Sequence, residues 1–236
     1  LLVMATFTTP ATLWDKLNTP EIRYSIKLSF VSCTLTTILS LWIAVPIGYL
    51  MSRFHFRGKH VIDAVLDIPI VLPPLVIGLG LLILFQTPPG KAIDRIFPVT
   101  FAIPSVILAQ FMVACAFAVR TMRMTFDQID LRREQVALTL GCSHSQAFWL
   151  IVFPEAQRGM LSAATLAWAR SLGEFGPILI FSGATRMRTE VLPTTVFLEM
   201  SVGDINAAVA VSMIMVLSAI FVLMTARLFG LKRPIS

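Results

Sequence analysis

Long apolar runs separated by short clusters of charge organise the whole chain. A helix crossing the hydrocarbon core of a bilayer needs about 20 mostly apolar residues. Five stretches reach that length between charged residues: 28–52, 68–90, 96–119, 159–185 and 205–226, the fourth interrupted by Arg170 and Glu174. The pattern predicts an all-α polytopic membrane protein with five transmembrane helices, preceded by an outer or interfacial segment over residues 1–27. A sixth uncharged stretch, QVALTLGCSHSQAFWLIVFP over residues 135–154, has Gly-Cys-Ser-His-Ser-Gln at its middle. Four polar side chains and a central Gly are costly at a bilayer midplane, whereas two short helices joined at Gly141 sit comfortably outside it. This stretch is therefore read as a surface loop, spanning about 131–154.

Five spans place the two termini on opposite faces, so the basic residues decide the sidedness. With the N-terminus outside, the inner face carries eleven: Arg53, Arg57, Lys59, Arg120, Arg123, Arg132, Arg133, Arg158, Arg227, Lys232 and Arg233. The outer face carries seven, namely Lys16, Arg23, Lys27, Lys91, Arg95, Arg186 and Arg188. The excess favours an N-out, C-in arrangement with the polar loop in the cytoplasm.

Composition narrows the class further. The chain is 56% hydrophobic and 14% charged over 236 residues, about half the charged fraction of a soluble domain. Disorder is excluded, and the formal charge of +6 is scattered between apolar stretches rather than gathered into a nucleic-acid footprint. The three cysteines, Cys33, Cys115 and Cys142, form no C-x-x-C pair, so they are read as buried small residues rather than disulfides or zinc ligands. The first 25 residues lack the features of a signal peptide and an initiator Met, and the start reads as truncated.

Two spans carry features that a simple membrane anchor does not need. The second contains Pro69, Pro73, Pro74, Gly78 and Gly80, and prolines there free carbonyls and bend helices. Such a bend either serves packing or opens backbone onto a substrate pathway. Asp63 and Asp67, four residues apart at its inner end, are either solvated or paired with Arg57 or Lys59. In the fourth span, Arg170 and Glu174 are also four apart and share a helical face. Each alone costs about 2.5–3.5 kcal/mol at the bilayer centre, so a neutralising pair is expected, either locking helices together or acting at a gate. Gly173, Gly176 and Pro177 favour close helix approach or a break.

Chemistry within the chain itself is not indicated. His55, His60 and His144 fall in predicted cytoplasmic loops without spaced metal-ligating partners. The only Gly-Lys pairs, at 58–59 and 90–91, are followed by His60 and Ala92 where a phosphate loop requires Ser or Thr.

The loop holds the most specific pattern: EQVALTLG over residues 134–141, then, after nine residues, Ile151, Val152, Phe153 and Pro154. It resembles the EAA loop of binding-protein-dependent ABC importer permeases, in which EAA is followed by three residues, Gly, nine residues, Ile, any residue and Leu-Pro. Gln135, Val136 and Ala137 lie over the EAA triplet with Glu134 just before it, Gly141, Ile151 and Pro154 match, and Phe153 replaces Leu. An amphipathic helix before Gly141 and a second one carrying Ala147, Phe148, Leu150 and Ile151 suit insertion into a groove on a soluble partner. Two further stretches, RGKHVIDAVLDIPIVLPPLVIGLGLL and ARSLGEFGPILIFSG, resemble the molybdate, tungstate and sulfate permease branch, with Leu172 to Gly176 closer to the molybdate type. The short outer segment QTPPGKAIDRIFPVT and Pro177 depart from that pattern.

The resemblance implies a type I ABC importer permease working by alternating access in the cytoplasmic (inner) membrane. Its cargo would be an oxyanion, molybdate or tungstate first and sulfate as the alternative. It implies a homodimer in lipid, a cytoplasmic ABC ATPase dimer holding the ATP and Mg, an external oxyanion-binding protein, and no cofactor on this chain. Glu134, Gln135, Val136, Ala137, Gly141, Ile151, Phe153 and Pro154 would dock the ATPase. Pro73, Pro74, Arg170, Gly173, Glu174, Phe175 and Gly176 are the candidates for the pathway or its gate. From other classes, an ATPase-independent secondary transporter or channel, and an intramembrane enzyme using Glu174, remain as alternatives.

Overall fold

The computed structural model describes residues 10–230, and all regular structure among them is helical. Residues 1–9 of the expected outer segment, and Lys232 and Arg233 of the expected inner flank, lie outside the described residues. The helices are α1 (Pro10–Leu17), α2 (Pro20–Arg53), α3 (Lys59–Val71), α4 (Pro74–Gln86), α5 (Pro88–Ile96) and α6 (Ile103–Gln128). They continue with α7 (Leu131–Thr139), α8 (His144–Ala147), a π-helical turn (Phe148–Val152), α9 (Phe153–Leu172), α10 (Gly176–Phe181), α11 (Leu192–Val202) and α12 (Ile205–Gly230).

Most prolines start helices rather than kink them. Proline stands in the first turn of α2, α4, α5, α6, α9, α10 and α11, where its missing N–H has no partner to lose. The helix expected over 68–90 is thereby divided in two. Leu72 and Pro73 each precede a proline and are forced into extended backbone, with ψ of 143° and 132°. The chain stops at Val71, restarts at Pro74, and the axes of α3 and α4 differ by 112°.

Three other boundaries move. The third span begins at Ile103 rather than 96, because the Asp94 carboxylate accepts the N–H groups of Val99 and Thr100, each at 2.8 Å, and closes the chain into a turn after α5. The fourth, expected over 159–185, starts earlier and divides: α9 ends at Leu172, Gly173 to Phe175 are irregular, and α10 is a separate piece. Helix α11 was not expected, since its 11 residues include Pro193 and the charged Glu199. By length and composition α2, α6 and the Ile205–Thr225 part of α12 can each cross a membrane, and the bent α3–α4 pair can do so as one broken span. The described residues thus hold three unbroken candidate spans and one broken one by that measure.

Helix α6 is the axis of the bundle, packed on α2, α3, α9 and α10. The contact between α2 and α6 shows how a membrane helix marks its inner face without turning its most apolar side inward. The buried face of α2 is mostly small, and much of it hydroxylic: Ser25, Ser29, Ser32, Thr36, Ser40, Ala44 and Gly48, with Ile22, Leu28 and Met51 the large exceptions. Its exposed positions are large and apolar, among them Phe30, Leu35, Ile38, Leu39 and Trp42. Lipid offers apolar side chains as good an environment as protein does, so small residues that permit close backbone approach define the interface. Along α6 and α9, Ala114, Ala118, Ala156, Ala163 and Ala167 continue the same principle around the larger Met122 and Phe126.

Candidate docking loop and paired helix breaks

Between α6 and α9 the chain builds a small structure of its own. Asp130 opens α7 by accepting the N–H of Arg132 at 2.9 Å. Gly141, at φ +92°, closes it: Cys142 N–H bonds the carbonyl of Ala137 at 3.0 Å and Gly141 N–H that of Leu138 at 3.1 Å. This is a Schellman ending, which needs a left-handed residue at that position. Ser143 and Gln146 then cap α8 reciprocally, side chain to backbone in each direction at 3.3 and 2.8 Å. The polar Ser-His-Ser-Gln run is thus the start of a helix, and the chain continues through the π turn into α9.

Orientation divides the expected docking residues into two groups. Gln135, Val136 and Gly141 are exposed, together with Leu140, Trp149 and Leu150, the last three at 80%, 58% and 69%. Pro154 is exposed in the first turn of α9, while Ile151 and Phe153 are half-buried, Phe153 against Trp149 with ring centroids 4.8 Å apart. Glu134 and Ala137 point the other way and are buried, at 6% and 3% exposure. They are three apart on the helix and share its inner side, away from the exposed positions.

The two pathway stretches, about a hundred residues apart in sequence, meet in space. A Cβ on Gly78 would stand 2.7 Å from Pro177 Cα, and one on Gly176 would stand 3.1 Å from Leu75 N and from Pro74 Cβ. The break after α3 and the break before α10 therefore pack backbone to backbone. Pro73 and Pro74 are exposed beside the contact, as is Gly173, whereas Glu174 is 1% exposed. Arg170 Nη1 lies 3.1 Å from Glu174 Oε2, and the guanidinium also stands 5.8 Å from the centroid of Phe117. Phe175 packs on Phe197 of α11.

Asp63 and Asp67 find partners other than the basic residues near them in sequence. Asp63 pairs with Arg123 and Asp67 lies 3.6 Å from Arg120, tying α3 to α6. Of the two alternatives, solvation or pairing with Arg57 or Lys59, the second is corrected to pairing with Arg120 and Arg123. Gln110 was missed altogether. Buried in α6, it donates to the Ser171 carbonyl at 3.2 Å, just before the break in the fourth span, and its Oε1 lies 3.2 Å from Thr36 Oγ1. An uncharged residue inside an apolar window gave hydropathy nothing to detect.

At the opposite end of the bundle, burial holds the Glu190 carboxyl above its ordinary value, while the N–H groups of Thr100 and Val99 hold Asp94 below its own. Among the described residues no group of three or more His, Cys, Asp or Glu is placed to hold a metal ion.

The described residues thus combine an all-helical fold, helices apolar and long enough to cross a membrane, two helix breaks packed on each other and a capped loop. Comparison gives the family: residues 44–230 match the model described as binding-protein-dependent transport system inner membrane component, and the chain belongs to that family. A probable molybdenum ABC transporter permease of Haloferax volcanii is 32% identical over 221 residues, covering 94% of this chain and 80% of the relative. The sulfate transport system permease CysT of Salmonella typhimurium is 26% identical over 216 residues, covering 90% and 78%; other relatives are named for molybdate/tungstate transport. A bacterial alginate ABC transporter solved with its alginate-bound periplasmic protein superposes with a TM-score of 0.77, covering 98% of this chain and 85% of that one. At 12% identity that likeness speaks for the fold alone.

Proposed function

We infer that this chain is the permease subunit of an ATP-driven importer of a tetrahedral oxyanion, molybdate or tungstate before sulfate. The family match over residues 44–230, joined to a 32% identical relative named for molybdenum, carries the reading. The run from Leu172 to Gly176 supports the molybdate side, and the sulfate permease relative supports the alternative.

In this reading two copies of the chain enclose the pathway, with the N-terminus outside and the C-terminus inside. Each presents α7, the Gly141 turn and α8 to one subunit of a cytoplasmic ABC ATPase, which holds ATP and Mg²⁺. An external binding protein delivers the oxyanion. ATP binding closes the ATPase dimer and draws the two docked loops together, favouring the outward-facing state, and hydrolysis restores the inward-facing one. A ligand shifts such an equilibrium only by contacts that differ between the states, and the docked loops supply them. The crossing of the two helix breaks supports a pathway there, because discontinuous helices expose backbone polar groups able to make weak, transient contacts. Arg170 and Glu174 stand behind it as support.

The test is uptake of molybdenum, tungsten and sulfur by elemental mass spectrometry, in the native host with and without the chain, at limiting oxyanion. Loss of molybdenum or tungsten with sulfur unchanged is expected. Loss of sulfur alone would move the cargo to sulfate, and no change in any of the three would overturn the oxyanion assignment.

A further inference from the structure

The loop between α6 and α9 hangs from the bundle at two points of different character. At its rim Arg133 Nη1 lies 2.5 Å from Glu155 Oε1, a water-exposed pair of the kind that contributes little. Beneath it, Glu134 reaches inward. One carboxylate oxygen accepts the Tyr49 hydroxyl, and the other lies 3.3 Å from Arg53 Nε, with the Arg53 and Glu134 side chains only 9% and 7% exposed. Arg53 also donates from Nη2 to the carbonyl of Ile129 at 3.0 Å, at the corner where α6 gives way to α7. The Tyr49 ring stands edge-on to Phe148 of the π turn and to Phe126 of α6, at 4.8 and 5.6 Å.

A buried carboxylate and guanidinium are costly to separate, because either left alone is an uncompensated charge in a poor solvent. The inner side of α7 offers only one other buried residue, the small Ala137. Displacement of α7 therefore drags the last turn of α2 with it before it can break the cluster. Helix α2 is continuous over 34 residues, about 50 Å at helical rise, with Pro46 inside it one turn before Tyr49, where one backbone hydrogen bond is lost. Its far end holds the first residue of α11 and the loop before it: Ser29 Oγ accepts the N–H of Leu192 at 2.8 Å, and the Tyr24 hydroxyl donates to the Arg188 carbonyl at 3.0 Å. One continuous helix thus joins the two ends of the described bundle.

The geometry points to Tyr49, Arg53 and Glu134 as positioning residues that pass movement of the docking loop into α2, and through α2 to the loop preceding α11. The proposal rests on the reading of the chain as an ABC permease, and deepens it by separating the face of α7 that binds a partner from the face that transmits. Glu134 then acts on coupling and not on docking.

The test uses the full chain coexpressed with its ATPase and binding protein, reconstituted in proteoliposomes, with radiolabelled molybdate as probe. The variants are Glu134→Gln, Tyr49→Phe, their combination, and Val136→Arg on the exposed face. The first three are expected to retain the ATPase on purification, while molybdate moved per ATP hydrolysed falls at least tenfold. The double variant should be no worse than the more severe single one, because both interrupt one link. Val136→Arg should lose the ATPase instead. An unchanged transport-to-hydrolysis ratio in Tyr49→Phe, or loss of the ATPase from it, overturns the proposal; should Glu134→Gln fail to assemble, Tyr49→Phe, which keeps the ring, decides alone. A wild-type chain that retains no ATPase would instead overturn the permease reading on which this rests.

Discussion

Single residues decide what the buried polar groups of this bundle do. Arg170 and Glu174 are unequal partners: the carboxylate is almost wholly enclosed, the guanidinium about a third exposed. Removing the cation therefore strands a buried charge, whereas removing both removes the problem. Arg170→Ala is expected to lower stability by about 3 kcal/mol, at the low end for a broken buried pair because Arg170 is partly solvated. Arg170→Ala with Glu174→Gln should recover most of that loss, as thermal unfolding in detergent would show. If the double variant also imports at the wild-type rate, the pair has no part in the gate. Equal destabilisation by the single and double variants would mean that the carboxyl is already neutral.

Elements are governed here by where helices must stop. Two consecutive residues that precede prolines end α3, a left-handed Gly141 ends α7, and one carboxylate holds the turn after α5. The last of these is a pH-dependent device with a definite sign. The amides of Thr100 and Val99 favour the ionised form of Asp94 and hold its carboxyl below the ordinary value. Its contribution is therefore complete above about pH 4, the ordinary carboxylate value, and fades as pH falls through the lower folded value. Hydrogen exchange should show the Val99 and Thr100 amides protected near neutrality and released in acid. In Asp94→Asn, which cannot ionise, protection should be weaker and should lack the acid transition. Protection in the wild type that is indifferent to acid would remove the carboxylate from this role.

At the scale of the whole molecule, the loop between α6 and α9 is shaped by its own chain, through the Gly141 turn and the Ser143–Gln146 caps. Gly141 is exposed, with open space where a side chain would begin, so a substitution there strains the backbone without disturbing the bundle. An L-residue in the left-handed region costs about 1–2 kcal/mol, and a long charge added at the turn obstructs any groove that receives it. Gly141→Arg is accordingly expected to insert in the membrane normally and to lose the copurifying ATPase. Retention of the ATPase would remove the α7–α8 turn from the docking surface.

The sequence by itself determined the class, the helical content, the polar loop with its turn at Gly141, and the Arg170–Glu174 pair. Each follows from apolar run length, a glycine at a turn, or helical spacing, which are local properties. Only the tertiary structure decided that the breaks at Pro73–Pro74 and Gly173–Gly176 lie against each other, that Asp63 and Asp67 reach across to α6, that Gln110 supports the end of α9, and that Glu134 faces inward to Tyr49 and Arg53. The physical reason is the membrane itself. Apolar side chains are equally at home against lipid and against protein, so hydrophobicity cannot tell the inner face of a helix from the outer one. The inner faces are chosen by small residues and by buried polar groups, and their partners are brought together by packing from positions far apart in the chain.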